Sequence, residues 1–142
     1  MTSYKTTAIW KGGHLGELIC GNGARMDFSA PEALHGKANV LTPEDAFVGS
    51  LDMCFQLIFI WVVEKMRIDM VSYESEAEGF IEELLDQTSV FKKMVLRPKI
   101  KVRNCTENVV KRALTLAEKY SLIARSMKAE LAIEPEITVL GT

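Results

Sequence analysis

The amino-acid sequence predicts an α+β fold. Three observations carry this prediction: short β-rich segments stand at the N-terminus, a long apolar helical segment follows them, and two segments of alternating charge come next. The 142 residues fit a single domain over residues 1–142, and a composition of 48% hydrophobic and 25% charged residues is ordinary for a globular protein. We therefore expect one core.

The N-terminal segments 4–11, 14–20 and 24–28 are rich in β-forming residues. Gly12-Gly13 and Gly21-Asn22-Gly23 separate them, and glycine adopts a positive φ at little cost. The pattern predicts a meander of three strands.

The main helix is predicted to begin at Thr42 and to run to about Met66. Thr42 can accept a bond from a free backbone N–H, Pro43 suits the first turn, and Glu44 and Asp45 favour the positive end of the helix dipole. The start of this helix is therefore well specified.

The middle of this helix, residues 53–63, is apolar on nearly every face, which indicates a helix enclosed by protein. A chain of this length can hardly surround such a helix alone, so we expect a homodimer. The apolar stretch 48–63 includes Ser50, Asp52 and Gln56 and falls short of the roughly 20 residues that span a bilayer. We therefore expect no membrane span.

Two segments with charges at every second position follow the helix and predict a β-hairpin. The acidic and basic positions are Glu74, Glu76 and Glu78, then Arg97, Lys99, Lys101 and Arg103. One antiparallel register places opposite charges across from each other, and its pairs are Glu74–Arg103, Glu76–Lys101 and Glu78–Lys99. The turn then falls near residues 87–89.

The charge balance gives no general attraction for nucleic acid or anionic membrane, because the net charge is -2 and the pI is about 5.7. The basic run 92–103 alternates with an apolar face, which favours a half-buried strand and leaves nucleic-acid binding as a minor alternative. The N-terminus has no apolar core of signal-peptide length. We expect a cytoplasmic protein.

Residues 104–120 return to helical spacing. Their apolar stripe is Val109, Val110, Ala113, Leu114, Ala117 and Tyr120. Residues 121–128 are a bent turn or a short second helix, and residues 129–139 are a closing strand. Pro135 interrupts that strand, which indicates an edge position or a bulge.

The three cysteines, Cys20, Cys54 and Cys105, form no CxxC pair and no zinc-ligand spacing, so we expect no metal. An odd count in a cytoplasmic protein argues against a disulfide framework and leaves room for a reactive thiol. Cys54 lies in the apolar helix, where a buried structural cysteine is the alternative.

The order of these elements resembles the OsmC/Ohr family, and two motifs strengthen the resemblance. Residues 42–47 followed by Met53-Cys54-Phe55 are similar to the family's Pro-Glu-x-x-Leu/Phe, with Cys-Phe ten residues after the Glu. Residues 118–131 resemble the segment in which a cysteine ends the second helix. Ser121 stands at the position of that second cysteine.

The resemblance implies an intertwined homodimer that reduces small hydrophobic hydroperoxides in oxidative stress defence without a cofactor. Cys54 would attack the peroxide and become a sulfenic acid. In the family the second cysteine then forms a disulfide, which an external thiol reductant resets. Ser121 cannot form that disulfide.

Three interpretations of Ser121 stay open: an engineered Cys→Ser change, a natural single-cysteine peroxidase reset by an outside thiol, or a descendant that binds an apolar ligand without turnover.

The family also implies a basic residue that supports the thiolate and is held by the Glu at the helix start. Arg25 is preferred for this role because it is always charged, and His14 is the alternative. Glu44 lies about 15 Å of helical rise from Cys54, so it acts through Arg25 or across a dimer interface.

Overall fold

The computed structural model describes residues 1–141, which form seven strands and three α-helices in an α+β arrangement. The predicted fold class is confirmed. The chain divides into two compact units, Met1–Phe47 and Val48–Thr142. The single domain over residues 1–142 stays a prediction.

The first unit contains an antiparallel sheet of three strands in the order β1-β2-β3. The strands are β1 (Thr6–Trp10), β2 (Leu15–Cys20) and β3 (Arg25–Ser29). Gly12 and Gly23 lie in the two connections with φ of 98° and 96°, a region that favours glycine. The predicted meander is confirmed.

Helix α1 (Pro43–Lys65) begins and ends within a residue of its predicted bounds. The Thr42 hydroxyl oxygen accepts the Asp45 N–H at 3.0 Å and donates to the Asp45 carboxylate at 2.8 Å. The first bond caps the start of the helix, because it satisfies a backbone N–H that has no partner within the helix, and the second bond holds the two side chains together.

Only one face of α1 is buried within the chain, so the expectation of a fully enclosed helix is not met by one chain alone. The buried side chains are Leu51, Phe55, Phe59, Val62 and Val63. On another face, Met53, Leu57 and Trp61 are 63%, 65% and 48% exposed.

The length of α1 also bears on the membrane prediction. At 23 residues, α1 is long and apolar enough to cross a membrane, a test that core helices of soluble proteins pass as well. It exceeds the 16-residue apolar stretch of the sequence because the helix continues beyond that stretch at both ends.

The hairpin consists of β4 (Asp69–Glu83) and β5 (Ser89–Arg103), but its predicted register is wrong. Each glutamate faces a residue of β5 four positions earlier than expected. The observed pairs are Glu74–Lys99, Glu76–Arg97 and Glu78–Val95. Because charge alternation repeats every two residues, it fits several registers, and the turn decides among them.

The turn lies at residues 84–88, slightly earlier than predicted. The Asp86 carboxylate accepts the Thr88 N–H at 3.0 Å, and Gln87 has a φ of 68°. An aspartate that bonds the backbone two residues later is a strong turn former.

Helix α2 (Glu107–Tyr120) is capped by the Thr106 hydroxyl, which accepts the Val109 N–H at 3.3 Å. Its buried side chains are Val110, Ala113, Leu114 and Ala117, as the stripe predicts. Tyr120 is 49% exposed, which corrects that prediction. It is the last residue of the helix, and its ring lies edge-on to Trp61 with centroids 6.1 Å apart.

The chain ends with the short helix α3 (Leu122–Ser126) and with β6 (Glu130–Ile133) and β7 (Glu136–Leu140). Both strands pair in parallel with β5. Pro135 lies in the gap between them, so the predicted interruption of the closing strand is confirmed.

The core of the second unit lies where α1 and α2 pack against β5. The apolar face of β5 predicted from the sequence is buried, and it comprises Leu96, Pro98, Ile100 and Val102. Phe55 and Phe59 of α1 and Val110 of α2 belong to the same side-chain cluster and have no exposed surface. This packing fixes the middle of α1 within the second unit.

Candidate functional site

Cys54 lies in the middle of α1, at the border between its buried and its exposed face. The next residue, Phe55, is fully buried, whereas the preceding Met53 is 63% exposed. Cys54 itself is half-buried and carries a free thiol. Its sulfur is therefore held by a rigid helix without being sealed in the core.

Ser121 connects α2 to α3 and has no exposed surface. Its backbone has φ of -75° and ψ of 110°, which ends α2, and its carbonyl oxygen accepts the Arg125 N–H at 3.1 Å. Its hydroxyl oxygen accepts the Ala124 N–H at 3.4 Å. Ser121 thus caps α3 with both its side chain and its main chain.

The structure brings Cys54 and Ser121 together, although 67 positions separate them in the sequence. The Ser121 hydroxyl donates a hydrogen bond to the Cys54 sulfur, and the Oγ–Sγ distance is 3.3 Å. A donor aimed at a thiol favours its charged form, which is the nucleophile. The pair can therefore activate a thiol but contains only one sulfur.

The other two cysteines are also free. Cys20 lies at the end of β2, and Cys105 precedes α2. Burial, and secondarily the nearby Asp69 carboxylate, raise the pKa of Cys105. A raised pKa leaves less thiolate at neutral pH, so Cys105 is a poorer nucleophile than an ordinary cysteine.

Glu44 lies in the first turn of α1, as predicted. Its Oε1 atom is buried, and no residue of 1–141 forms a hydrogen bond to it. A buried carboxylate oxygen without a donor is costly, so this position requires a donor that the described chain does not supply.

Arg25, at the start of β3, forms an ion pair with Glu17 at 3.6 Å, and its side chain is 58% exposed. Glu17 also approaches the Lys11 ammonium at 3.8 Å. Among residues 1–141 the structure does not join Arg25 to Glu44. The alternative residue, His14, has its ring centroid 5.9 Å from that of His35. The supporting role of Arg25 or His14 stays a prediction.

A polar recess lies beside the turn of α1 that carries Cys54, and Asp52, Gln56 and Tyr73 line it. Asp52 accepts a hydrogen bond from the Ser75 hydroxyl, and the buried Tyr73 hydroxyl has no hydrogen-bond partner within residues 1–141. Burial raises the pKa of Tyr73 to about 12; the nearby Ser75 hydroxyl opposes this in part, and the Asp52 carboxylate adds to it. The alternation of β4 was the only sign that Tyr73 points inward.

An apolar cavity of about 420 Å³ lies within the first unit. It is lined by side chains of all three strands and of the start of α1, including Ala8, Leu18, Phe28 and Ala46. Across the described residues, no group of three or more His, Cys, Asp or Glu side chains could hold a metal ion.

A model of the family described as OsmC-like protein matches residues 36–136. This range includes Cys54, Ser121 and Glu44, but not Arg25. No protein with a curated description matches the sequence.

Several solved structures have the same fold. An OsmC-like protein of unknown function from Vibrio cholerae matches with a TM-score of 0.86 and 22% identity, covering 95% of this chain and 99% of its own. An organic hydroperoxide resistance protein OsmC and predicted redox protein from Legionella pneumophila has a TM-score of 0.72 and 14% identity, with coverages of 97% and 98%. An organic hydroperoxide resistance protein from Elizabethkingia anophelis has a TM-score of 0.74 and 15% identity, with coverages of 99% and 98%.

Proposed function

The chain belongs to the OsmC-like protein family, and on this premise we propose that it reduces organic hydroperoxides through Cys54, with an outside thiol completing the cycle. The observation that carries the proposal is the hydrogen bond from the buried Ser121 hydroxyl to the Cys54 sulfur. It places a donor at the one atom that would have to react.

The first step is an attack of the Cys54 thiolate on an oxygen of the hydroperoxide. The O–O bond breaks, Cys54 becomes a sulfenic acid, and the leaving alkoxide takes a proton to become an alcohol. One thiol then forms a mixed disulfide with Cys54 and releases water. A second thiol attacks that disulfide, so two thiols supply the two electrons and Cys54 is restored.

The outside thiol is required because oxygen replaces the second sulfur next to Cys54. Ser121 cannot resolve a sulfenic acid as a disulfide. Cys105 is poorly suited because its raised pKa disfavours the thiolate. We therefore assign the resolving step to a thiol that is not part of this chain.

The substrate class follows from the surroundings of Cys54. Met53 and Leu57 flank it on the exposed side of α1, and both present apolar side chains. An apolar approach favours a hydroperoxide with a hydrocarbon group over hydrogen peroxide, because the hydrocarbon loses contact with water on binding. The structurally similar Legionella and Elizabethkingia proteins are organic hydroperoxide resistance proteins, which agrees with this class.

A second copy of the chain is part of the proposal. It would pack beside the exposed apolar side chains of α1, so that these line an apolar approach to Cys54 at the dimer interface, and it could supply the donor that Glu44 requires. We propose that Arg25 is this donor and that it supports the thiolate, with His14 as the alternative. In this arrangement Glu44 holds the basic residue rather than touching Cys54.

The test is the consumption of cumene hydroperoxide by the purified protein in the presence of a small thiol or dithiol. We expect turnover that depends on the thiol and that Cys54→Ser abolishes. The Cys105→Ser variant is the matched control and should retain activity. Equal turnover by wild type and Cys54→Ser would refute the proposal.

The apolar cavity of the first unit favours a second candidate, a dimer that binds a small hydrophobic molecule without turnover. About 420 Å³ is within the range of small-molecule sites. Native mass spectrometry of the purified protein decides between the two candidates. A retained ligand without peroxide turnover would support this one, and turnover without a ligand would exclude it.

A further inference from the structure

The Ser121 hydroxyl lies where a second sulfur would complete a disulfide, yet it is fully buried and makes two hydrogen bonds. We propose that Ser121 is a catalytic hydrogen-bond donor that stabilises the Cys54 thiolate. The inference rests on the proposed function, because it assigns Ser121 a task in the same reaction. In this role Ser121 activates the Cys54 thiol, whereas a cysteine at the same position would resolve the Cys54 sulfenic acid.

The hydrogen bonds of Ser121 determine the direction of its proton. A hydroxyl has one proton to donate and two lone pairs. The Ala124 N–H points to the oxygen at 3.4 Å, so it uses a lone pair, and the proton is free to point at Sγ at 3.3 Å. The Ser121 side chain has no exposed surface, so water does not compete for that proton.

The two bonds form a short chain from the Ala124 N–H through the Ser121 hydroxyl to the Cys54 sulfur. Hydrogen bonds in such a chain polarise one another, which makes the hydroxyl a better donor. A bond to a charged acceptor is stronger than a bond to a neutral one. The chain therefore stabilises the thiolate more than the thiol, which is the condition for activating Cys54.

Ser121 also caps α3, so a loss of activity in a variant could arise from a damaged helix. The chain offers a matched control in Ser126, the last residue of α3. Its hydroxyl donates to the Leu122 carbonyl oxygen at 2.8 Å, a bond within the same helix that does not involve Cys54. Ser126→Ala removes a hydroxyl from α3 and leaves the donor to Cys54 in place.

The experiment measures the rate at which iodoacetamide alkylates Cys54 at neutral pH in the full-length protein, followed on the Cys54 peptide by mass spectrometry. The bond raises the fraction of thiolate, and the weaker nucleophilicity of a stabilised thiolate offsets part of that gain, so we expect Ser121→Ala to lower this rate roughly 3- to 20-fold. Ser121→Thr keeps a hydroxyl and should restore most of the rate. Ser126→Ala should leave it unchanged.

A rate for Ser121→Ala within about twofold of wild type would overturn the proposal, since the bond would then contribute little to the reactivity of Cys54. An equal loss in Ser126→Ala would also overturn it, because the effect would come from the helix. Should Ser121→Ala fail to fold, the ultraviolet thiolate absorbance of the wild type at neutral pH, taken against Cys54→Ser, decides: its absence would overturn the proposal.

These readouts involve no peroxide, so the two proposals fail separately. A Cys54 that depends on Ser121 for alkylation but is inert to hydroperoxide would refute the proposed function and leave the donor role standing. A Cys54 that turns over hydroperoxide equally well with alanine at position 121 would refute the donor role alone.

Discussion

The Ser121 hydroxyl donates to the Cys54 sulfur, and the Oγ–Sγ distance is 3.3 Å. If residue 121 were a cysteine, a disulfide between the two sulfur atoms would be about 2 Å long. Only a small displacement of the two side chains separates the observed pair from disulfide geometry, because the two atoms are already 3.3 Å apart. The position therefore combines the geometry of a two-cysteine site with the chemistry of a one-cysteine site.

Ser121→Cys should restore an internal disulfide. We expect an equimolar amount of cumene hydroperoxide to link Cys54 to the new thiol, because a sulfenic acid condenses with a thiol within reach. Peptide mapping without reductant would detect the linked peptides, and Ser126→Cys is the control that should not form them. A Ser121→Cys protein that keeps an unlinked Cys54 sulfenic acid would show that the two positions are not held together in solution.

The buried Tyr73 is expected to make the folded protein less stable at alkaline pH. Its pKa is raised from 10.0 to about 12, chiefly by burial, so the folded state favours the neutral phenol. The contribution of the neutral Tyr73 phenol to the stability of the folded state is intact below about pH 10 and is lost as the pH rises through about 12. Tyr73→Phe should flatten the fall of the urea midpoint over this range, and Tyr4→Phe, at a 92% exposed position, should not. Equal falls in wild type and Tyr73→Phe would contradict this account.

The candidate site was predictable only where the sequence carries a spaced motif. Cys54 and Ser121 are brought together as the resemblance implies, since their positions are set by helices whose ends the sequence specifies. The partner of Arg25 was not predictable, because a long exposed side chain takes whichever carboxylate lies nearest, and here that residue is Glu17. The lack of a hydrogen-bond donor for the Glu44 Oε1 atom within residues 1–141 was not predictable either, since no sequence pattern reports the burial of one atom.

At the scale of elements, local chemistry at the ends of each element proved more informative than periodicity within it. The Thr42 cap located α1 to within one residue. The alternating charges of the hairpin did not fix its register, which is set by the turn at Asp86 and Gln87. Pairing between distant segments depends on such a turn, so an error of a few residues there displaces every pair.

Thr42→Ala should destabilise the protein by about 1 kcal/mol, because it removes the side-chain acceptor of the Asp45 N–H. Urea unfolding at neutral pH measures this. The matched control is Thr115→Ala, an exposed position within α2 where alanine is a better helix former. A Thr42→Ala protein as stable as the control would show that the cap contributes nothing measurable.

At the scale of the whole molecule, the exposed side of α1 is the feature that one chain leaves incomplete. Met53, Leu57 and Trp61 lie one helical turn apart from each other and form a continuous apolar stripe. Scattered apolar side chains on a surface are ordinary, but a stripe on the helix that carries Cys54 favours coverage by a second copy.

Leu57→Lys should convert a dimer into a monomer, since a charge at the centre of this stripe cannot be buried without a partner. Light scattering after size exclusion measures the mass in solution. Leu85→Lys is the control, because Leu85 is fully exposed in the hairpin turn and lies outside the stripe. A wild-type monomer, or a Leu57→Lys dimer, would remove the stripe as an interface.

The most direct test of the central claim is to treat the purified protein with an equimolar amount of cumene hydroperoxide and to trap sulfenic acid with dimedone. We expect a dimedone adduct on the Cys54 peptide, absent in Cys54→Ser, together with cumyl alcohol as the product. An adduct on Cys20 or Cys105 instead, or no adduct while the hydroperoxide remains intact, would contradict it.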